Sequence, residues 1–194
     1  ELHMRNGKFE FLDLLYRSRN IIPRNELKFM THELEFKRAG CFRLRPKVHK
    51  PVLGSRPVSN LRTSWVQRPC GWLCCVLQPI QQACDSITAS SEQLLQSYTA
   101  IKLDGNAETD NPWVLACWDI EELYPSIRQQ HCNHRCAVVV DSYGNYDYRL
   151  IQFIIALISL IVSNQQIEHK HIGYLAIVGL ATGLSAGVFI ANIY

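Results

Sequence analysis

The sequence lacks a hydrophobic run long enough to cross a bilayer. Its longest apolar stretch, Leu150 to Val162, is interrupted by Gln152 and Ser159 and falls short of the roughly 20 residues of a spanning helix. A buried helix is expected there, and no membrane partner. The polar start, Glu1-Leu2-His3-Met4, has no signal-peptide pattern and reads as a cloning remnant ahead of a start at Met4. Internal repeats and low-complexity segments are also missing, which excludes solenoid and fibrous architectures. The eight cysteines, at 41, 70, 74, 75, 84, 117, 132 and 136, lack the regular spacing of a disulfide framework and lie in apolar surroundings, so reduced, intracellular thiols are expected. A large net charge is absent as well, the formal value being +3.

That small value hides an asymmetry. Up to Arg68 the chain has 15 Lys and Arg against 6 Asp and Glu, whereas the remainder has 5 against 11. A basic module that grips phosphates is thus joined to one whose carboxylates serve another purpose, metal binding being the first candidate. With 194 residues, the chain has room for one large or two small compact units.

The basic excess is patterned. Between residues 42 and 49, Arg43, Arg45, Lys47 and His49 alternate with Phe42, Leu44, Pro46 and Val48. A period of two predicts a strand with one apolar and one cationic face. A turn at 52–55 then returns the chain as Arg56-Pro57-Val58-Ser59, placing Arg56 beside the cationic row in a hairpin. Pro46 and Pro57 fit only at a sheet edge, where a missing N–H breaks no ladder bond.

Helices are expected near Phe9–Arg19, from Pro23 to Lys37 with Ala39-Gly40 closing the second, over Trp65–Cys84 with a break at Pro69 or Pro79, and over Ser90–Tyr98. Residues 104–112 read as a polar loop and Trp113–Ile120 as a buried strand ending in an acid. The stretch 129–147 is ambiguous, with a turn at 141–147. Tyr148–Ser163 reads as the buried helix, Gln165–Val178 as a strand pair turning near Lys170 or Gly173, and a last helix starts near Leu184. His131, Cys132, His134 and Cys136 offer four possible ligands in a spacing that matches no common zinc motif. Glu168-His169-Lys170-His171 reads as a polar hairpin tip.

Asp119 follows the apolar run Trp113–Trp118. A carboxylate beside a buried strand is costly without compensation, which a divalent cation supplies; a cap for the following turn is the alternative.

Taken in order, Phe42-Arg-Leu-Arg-Pro-Lys-Val-His-Lys-Pro51, Arg56-Pro-Val-Ser59, Asp119-Ile-Glu-Glu-Leu-Tyr124 and Gly179-Leu-Ala-Thr-Gly-Leu-Ser-Ala-Gly-Val-Phe-Ile-Ala-Asn-Ile-Tyr194 resemble the reverse transcriptases, and look most like the Penelope-like retroelement branch. The resemblance covers about 150 of 194 residues. It implies an α+β right-hand polymerase fold, with residues 1–100 as fingers and 101–194 as a partial palm containing a returning fingers hairpin near 165–178.

The same resemblance implies RNA-directed DNA synthesis by nucleotidyl transfer to a primer 3′-hydroxyl. The partners would be an RNA template, a DNA primer and a deoxynucleoside triphosphate, and the location nuclear. Asp119 matches the first metal-binding aspartate and Ile120 adds its backbone carbonyl, the metal being Mg²⁺ or Mn²⁺ in a pair about 3.5–4 Å apart. Lys47 and Arg56 match residues that neutralise the triphosphate. Arg43, Arg45 and Lys50 are left for template or backbone phosphates. Tyr124 matches the ring that excludes a 2′-hydroxyl, a core tyrosine being the alternative, and Gly179 and Gly183 match glycines that let the backbone approach the nascent pair. Thr182 stands where the family has Met, and Gly187 where it often has Pro. The family's second catalytic segment, an aromatic-x-Asp-Asp hairpin, follows the position of Tyr194, so these residues alone are expected to be inactive and prone to self-association through apolar palm surface. Two other functions fit parts of the pattern: a lapsed polymerase serving as a nucleic-acid scaffold, and a plain basic RNA-binding module.

Overall fold

The computed structural model describes residues 2–36, 38–48, 54–88, 90–100 and 116–194. Among them are eight α-helices and one mixed four-stranded sheet, an α+β arrangement. The helices are α1 (Leu2–Arg17), α2 (Arg24–Thr31), α3 (Gln67–Ala83), α4 (Ser91–Ala100), α5 (Leu123–Ser126), α6 (Gln129–Tyr143), α7 (Tyr148–Ser163) and α8 (Gly187–Ile193). The strands are β1 (Gly40–Lys47), β2 (Gly54–Asn60), β3 (Gln166–His169) and β4 (Ile172–Leu175), in the order β2-β1-β3-β4.

The core is organised around α3 and α7. α7 presents Ile151, Ile154, Leu157, Ile158 and Ile161 to the interior at helical spacing, and its N-terminus is capped by Asp147, which accepts the Arg149 N–H at 2.9 Å. α3 packs Trp72 edge-on against Phe153, 5.5 Å between centroids, while the indole N–H of Trp72 donates to Glu26 of α2 at 2.6 Å. Phe11 of α1 meets Trp65 at 5.3 Å. The buried stripe Cys132, Cys136 and Val140 seats α6, which settles the ambiguous stretch as helix.

The sheet is reached from both ends of the sequence. β1 pairs antiparallel with β2 along its whole length, and parallel with β3 through Gly40↔Ile167 and Cys41↔Glu168. β3 and β4 form a tight hairpin turning at Lys170 and His171, both at positive φ (49° and 64°), which places the expected polar tip at the turn.

Several expectations need correction. The helix expected to reach Lys37 stops at Thr31, because Glu33 takes a left-handed φ of 56°; Lys37 lies outside the described residues. Gly40 opens β1 rather than closing a helix, since a Cβ there would sit 2.8 Å from the Asn60 carbonyl oxygen across the ladder. α3 runs unbroken: Pro69 sits in its first turn, and Pro79 removes a bond only to the carbonyl of Cys75, on the solvent-exposed side of the helix. α8 begins at Gly187, not Leu184, because turns closing at Leu184 and Gly187 come first. The apolar strand into Asp119 does not appear: residues 116–120 are exposed with no regular pairing, since the described sheet offers them no neighbour. Residues 113–115 and the polar loop at 104–112 lie outside the described residues. No helix among the described residues is long and apolar enough to cross a membrane.

Candidate nucleotide and nucleic-acid site

The β1–β2 ribbon sets four cations on one face. Arg43, Arg45 and Lys47 share a side by strand alternation, and the register Arg45↔Arg56 puts the fourth directly opposite the second. Like charges facing each other across a ladder are destabilising. Among the described residues none of the four has an acidic partner. Arg43, Arg45 and Arg56 are exposed and Lys47 is half-buried. The face is therefore an uncompensated cationic surface that an anion would relieve. Its expected apolar back is half-buried only at its start: Phe42 meets His169 edge-on at 6.1 Å, whereas Leu44 is 61% and Val48 82% exposed, because β1 leaves β3 after Cys41. β2 is an outer strand, and β1 lacks its second neighbour beyond Cys41, so Pro57 and Pro46 cost no ladder bond there. Lys50, like His49 and the turn at 51–53, lies outside the described residues.

The glycine segment at 179–187 is bonded on three sides. Toward the acidic segment, the N–H groups of Gly179 and Leu180 donate to the carbonyls of Ile127 and Tyr124, each at 2.8 Å. Gly179 has φ +82°, and a Cβ there would lie 3.1 Å from the Tyr124 carbonyl oxygen, so glycine is required both by conformation and by close approach. Toward the ribbon, the Thr182 hydroxyl accepts the Ser59 N–H at 3.3 Å and lies 3.5 Å from the Pro57 carbonyl. Gly183 lies directly on β2, where a Cβ would overlap the Ser59 carbonyl. From below, the fully buried Gln165 donates to the Gly179 carbonyl at 3.0 Å and to the Val162 carbonyl at 2.8 Å, and accepts from the Ala181 N–H. Gln129 donates to the Ala176 carbonyl at 2.8 Å, and Gln67 to the Ser185 hydroxyl at 2.7 Å.

Tyr124 and Gly179 are thus brought together. The Tyr124 ring is half-buried beside Gly187, where a Cβ would be 3.5 Å from its Cε1, and burial pushes its phenol above the ordinary value. Gly187 leaves room for that ring.

Asp119 and Ile120 form no hydrogen bond or ion pair with these residues among the described ones. Both are exposed, in a stretch where Trp118 is 85% exposed, and among the described residues the Asp119 carboxylate has no hydrogen-bond or ion-pair partner. Its open oxygens, with the Ile120 carbonyl, suit a hard cation in kind but supply two donors where octahedral Mg²⁺ takes six. No cluster of three or more His, Cys, Asp or Glu side chains suited to a metal exists among the described residues. Cys132 and Cys136 turn into the core while His131 and His134 stay exposed, so that cluster is divided between two environments.

Gln165, Gln129 and Thr182 are structural members of the site that sequence reasoning missed. Glutamine at a helix end has no distinctive spacing, and Thr182 registered only as a departure from the family pattern. Comparison with family models, curated proteins and solved structures finds no match.

Proposed function

We propose that this chain is the fingers and part of the palm of a reverse transcriptase of the Penelope-like type, a right-hand polymerase acting on an RNA template, a DNA primer and deoxynucleoside triphosphates. The observation that carries the reading is convergence. Segments at 56–59, 124–127 and 179–187, up to about 120 residues apart, are hydrogen-bonded into one unit, and the first of them belongs to the unpaired cationic ribbon.

In this reading Lys47 and Arg56 hold the triphosphate, the planar guanidinium engaging two oxygens at once. Arg43, Arg45 and Lys50 follow the template or backbone phosphates. Tyr124, whose carbonyl accepts the Leu180 N–H, closes the space beside the sugar and selects deoxyribose. Asp119 and the Ile120 carbonyl would hold Mg²⁺ or Mn²⁺, with substrate phosphates and water completing the shell. The metal, when bound, supplies a Lewis acid for in-line attack by the primer hydroxyl.

The test is primer extension on an RNA template by the full-length protein with Mg²⁺ or Mn²⁺. Asp119→Ala abolishes extension, while Tyr124→Ala retains DNA synthesis and admits ribonucleotides. Undiminished extension by Asp119→Ala removes the residue from the mechanism, and unchanged sugar discrimination removes the role of Tyr124. Tight RNA binding with no extension by the unmodified protein would instead favour the lapsed scaffold.

A further inference from the structure

The two outer strands of the sheet are protected unequally. β2 carries Arg56 and Pro57, devices that discourage edge-to-edge pairing. β4, Ile172-Gly173-Tyr174-Leu175, carries neither charge nor proline, and all four residues are exposed.

Its hydrogen-bonding groups are oriented outward at two positions. The Ala176 N–H donates to the Gln165 carbonyl at 3.0 Å, so in the alternation of an antiparallel ladder residues 172, 174 and 176 face β3. The N–H and C=O of Gly173 and Leu175 therefore face away from the sheet. Among the described residues nothing lies within 4 Å of a Cβ built on Gly173, so the sheet face is open at that position. Ile177 and Val178, 80% and 60% exposed, extend the apolar surface beyond the strand.

We infer that β4 is a self-association edge, pairing antiparallel with β4 of a second copy of this chain about a two-fold axis at Tyr174. In that register Gly173 faces the partner's Leu175 and Leu175 faces the partner's Gly173, so both sets of outward groups are satisfied by the same operation. The two Tyr174 side chains meet in the non-hydrogen-bonded pair between them, where side chains approach most closely. Electrostatics select this occupant. Residues 172–178 carry no charge, so the paired strands themselves oppose no like charges, and Lys170 and His171 lie in the turn outside the paired segment. Two four-stranded sheets would become one of eight strands, with the cationic ribbons at its far ends. The inference is independent of the polymerase reading.

The experiment measures the mass of the 194-residue chain by sedimentation from low to high micromolar concentration, at low and high salt, with Leu175→Pro and Tyr174→Lys in parallel. Leu175→Pro removes an outward N–H while leaving the β3–β4 ladder intact. Tyr174→Lys places like charges across the axis and, at an exposed position, keeps the test available if the proline variant fails to fold. The expected result is a concentration-dependent dimer indifferent to salt, weakened about tenfold or more by each folded variant. A chain that stays monomeric, a dimer that dissociates with salt, or a dimer untouched by Tyr174→Lys overturns the proposal.

Discussion

Gly183→Ala is the sharpest perturbation of the contact between ribbon and glycine segment. The added methyl would overlap the Ser59 carbonyl oxygen and sit 2.9 Å from its carbon and 3.2 Å from the Leu61 nitrogen. All three neighbours are backbone atoms of β2 and the residues just after it, so no side-chain rotamer can relieve the clash. Overpacking in a folded interior costs about 1–3 kcal/mol, and a backbone neighbour places this case at the upper end, about 3 kcal/mol. For a chain of this size each kcal/mol lowers Tm by about 2–4 °C, so the expected fall is roughly 6–12 °C by circular dichroism. The same displacement pulls Thr182 from Ser59 and should weaken RNA binding by the ribbon less than it lowers stability. Gly173→Ala is the control: with open space around it, its effect should stay within about 0.5 kcal/mol. A Gly183→Ala protein melting with the unmodified chain would show that the glycine segment is not seated on β2.

Gln165→Leu should cost about 2–4 kcal/mol, because two carbonyls and one N–H lose their partner in a buried site; urea denaturation reads it, and a neutral result would contradict the three-way bonding. Binding of single-stranded RNA by the chain should weaken with salt at a log–log slope of about −3 if Arg43, Arg45, Lys47 and Arg56 each release a counterion, and replacing all four with glutamine should flatten that slope, a salt-independent affinity arguing against phosphate contact. Burial pushes the Cys70 thiol up from 9.0 to about 12; the folded state holds that proton where the unfolded chain has lost it, so stability is complete below pH 9 and declines as pH rises from there toward 12. Cys70→Ala should remove that part of the alkaline decline, and an identical pH profile in the variant would refute it.

The legible parts of the sequence were those where one periodicity dominates. Tyr148–Ser163 is apolar at helical spacing with a capping aspartate before it, and the helix occupies those residues. The ribbon was legible as a hairpin because its alternation is strict and prolines mark its open edges, yet alternation does not say whether the apolar side has anything to pack on, and Leu44 and Val48 have nothing. Acidic residue 119 was read as the end of a buried strand from local apolarity alone; a strand also needs a neighbour, and the described sheet supplies none there. The Gly40 reading failed for a related reason. Glycine ends helices and also permits close cross-strand approach, and only the position of Asn60, distant in sequence, decides between them.

Thr182 shows how a departure from a sequence pattern acquires a physical meaning. The methionine of the reverse-transcriptase pattern that this segment resembles would offer flexible apolar contact; threonine instead accepts the Ser59 N–H and reaches toward the Pro57 carbonyl. Proline 57 has no N–H of its own, so β2 is poor in donors there, and a hydroxyl able to accept from one residue and donate toward another suits that stretch better than a thioether. Gly183 then approaches the same strand closely, while Gly179 and Leu180 fasten the other end of the segment to the carbonyls around Tyr124. The segment is therefore a short strut between the cationic ribbon and the aromatic ring, with Gln165 bonded to its backbone at Gly179 and Ala181. The segment is hydrogen-bonded at both ends and seated on the core through Leu180, Ala181 and Leu184, so hydrogen bonds and apolar packing together set the spacing between the ribbon and the backbone of Tyr124.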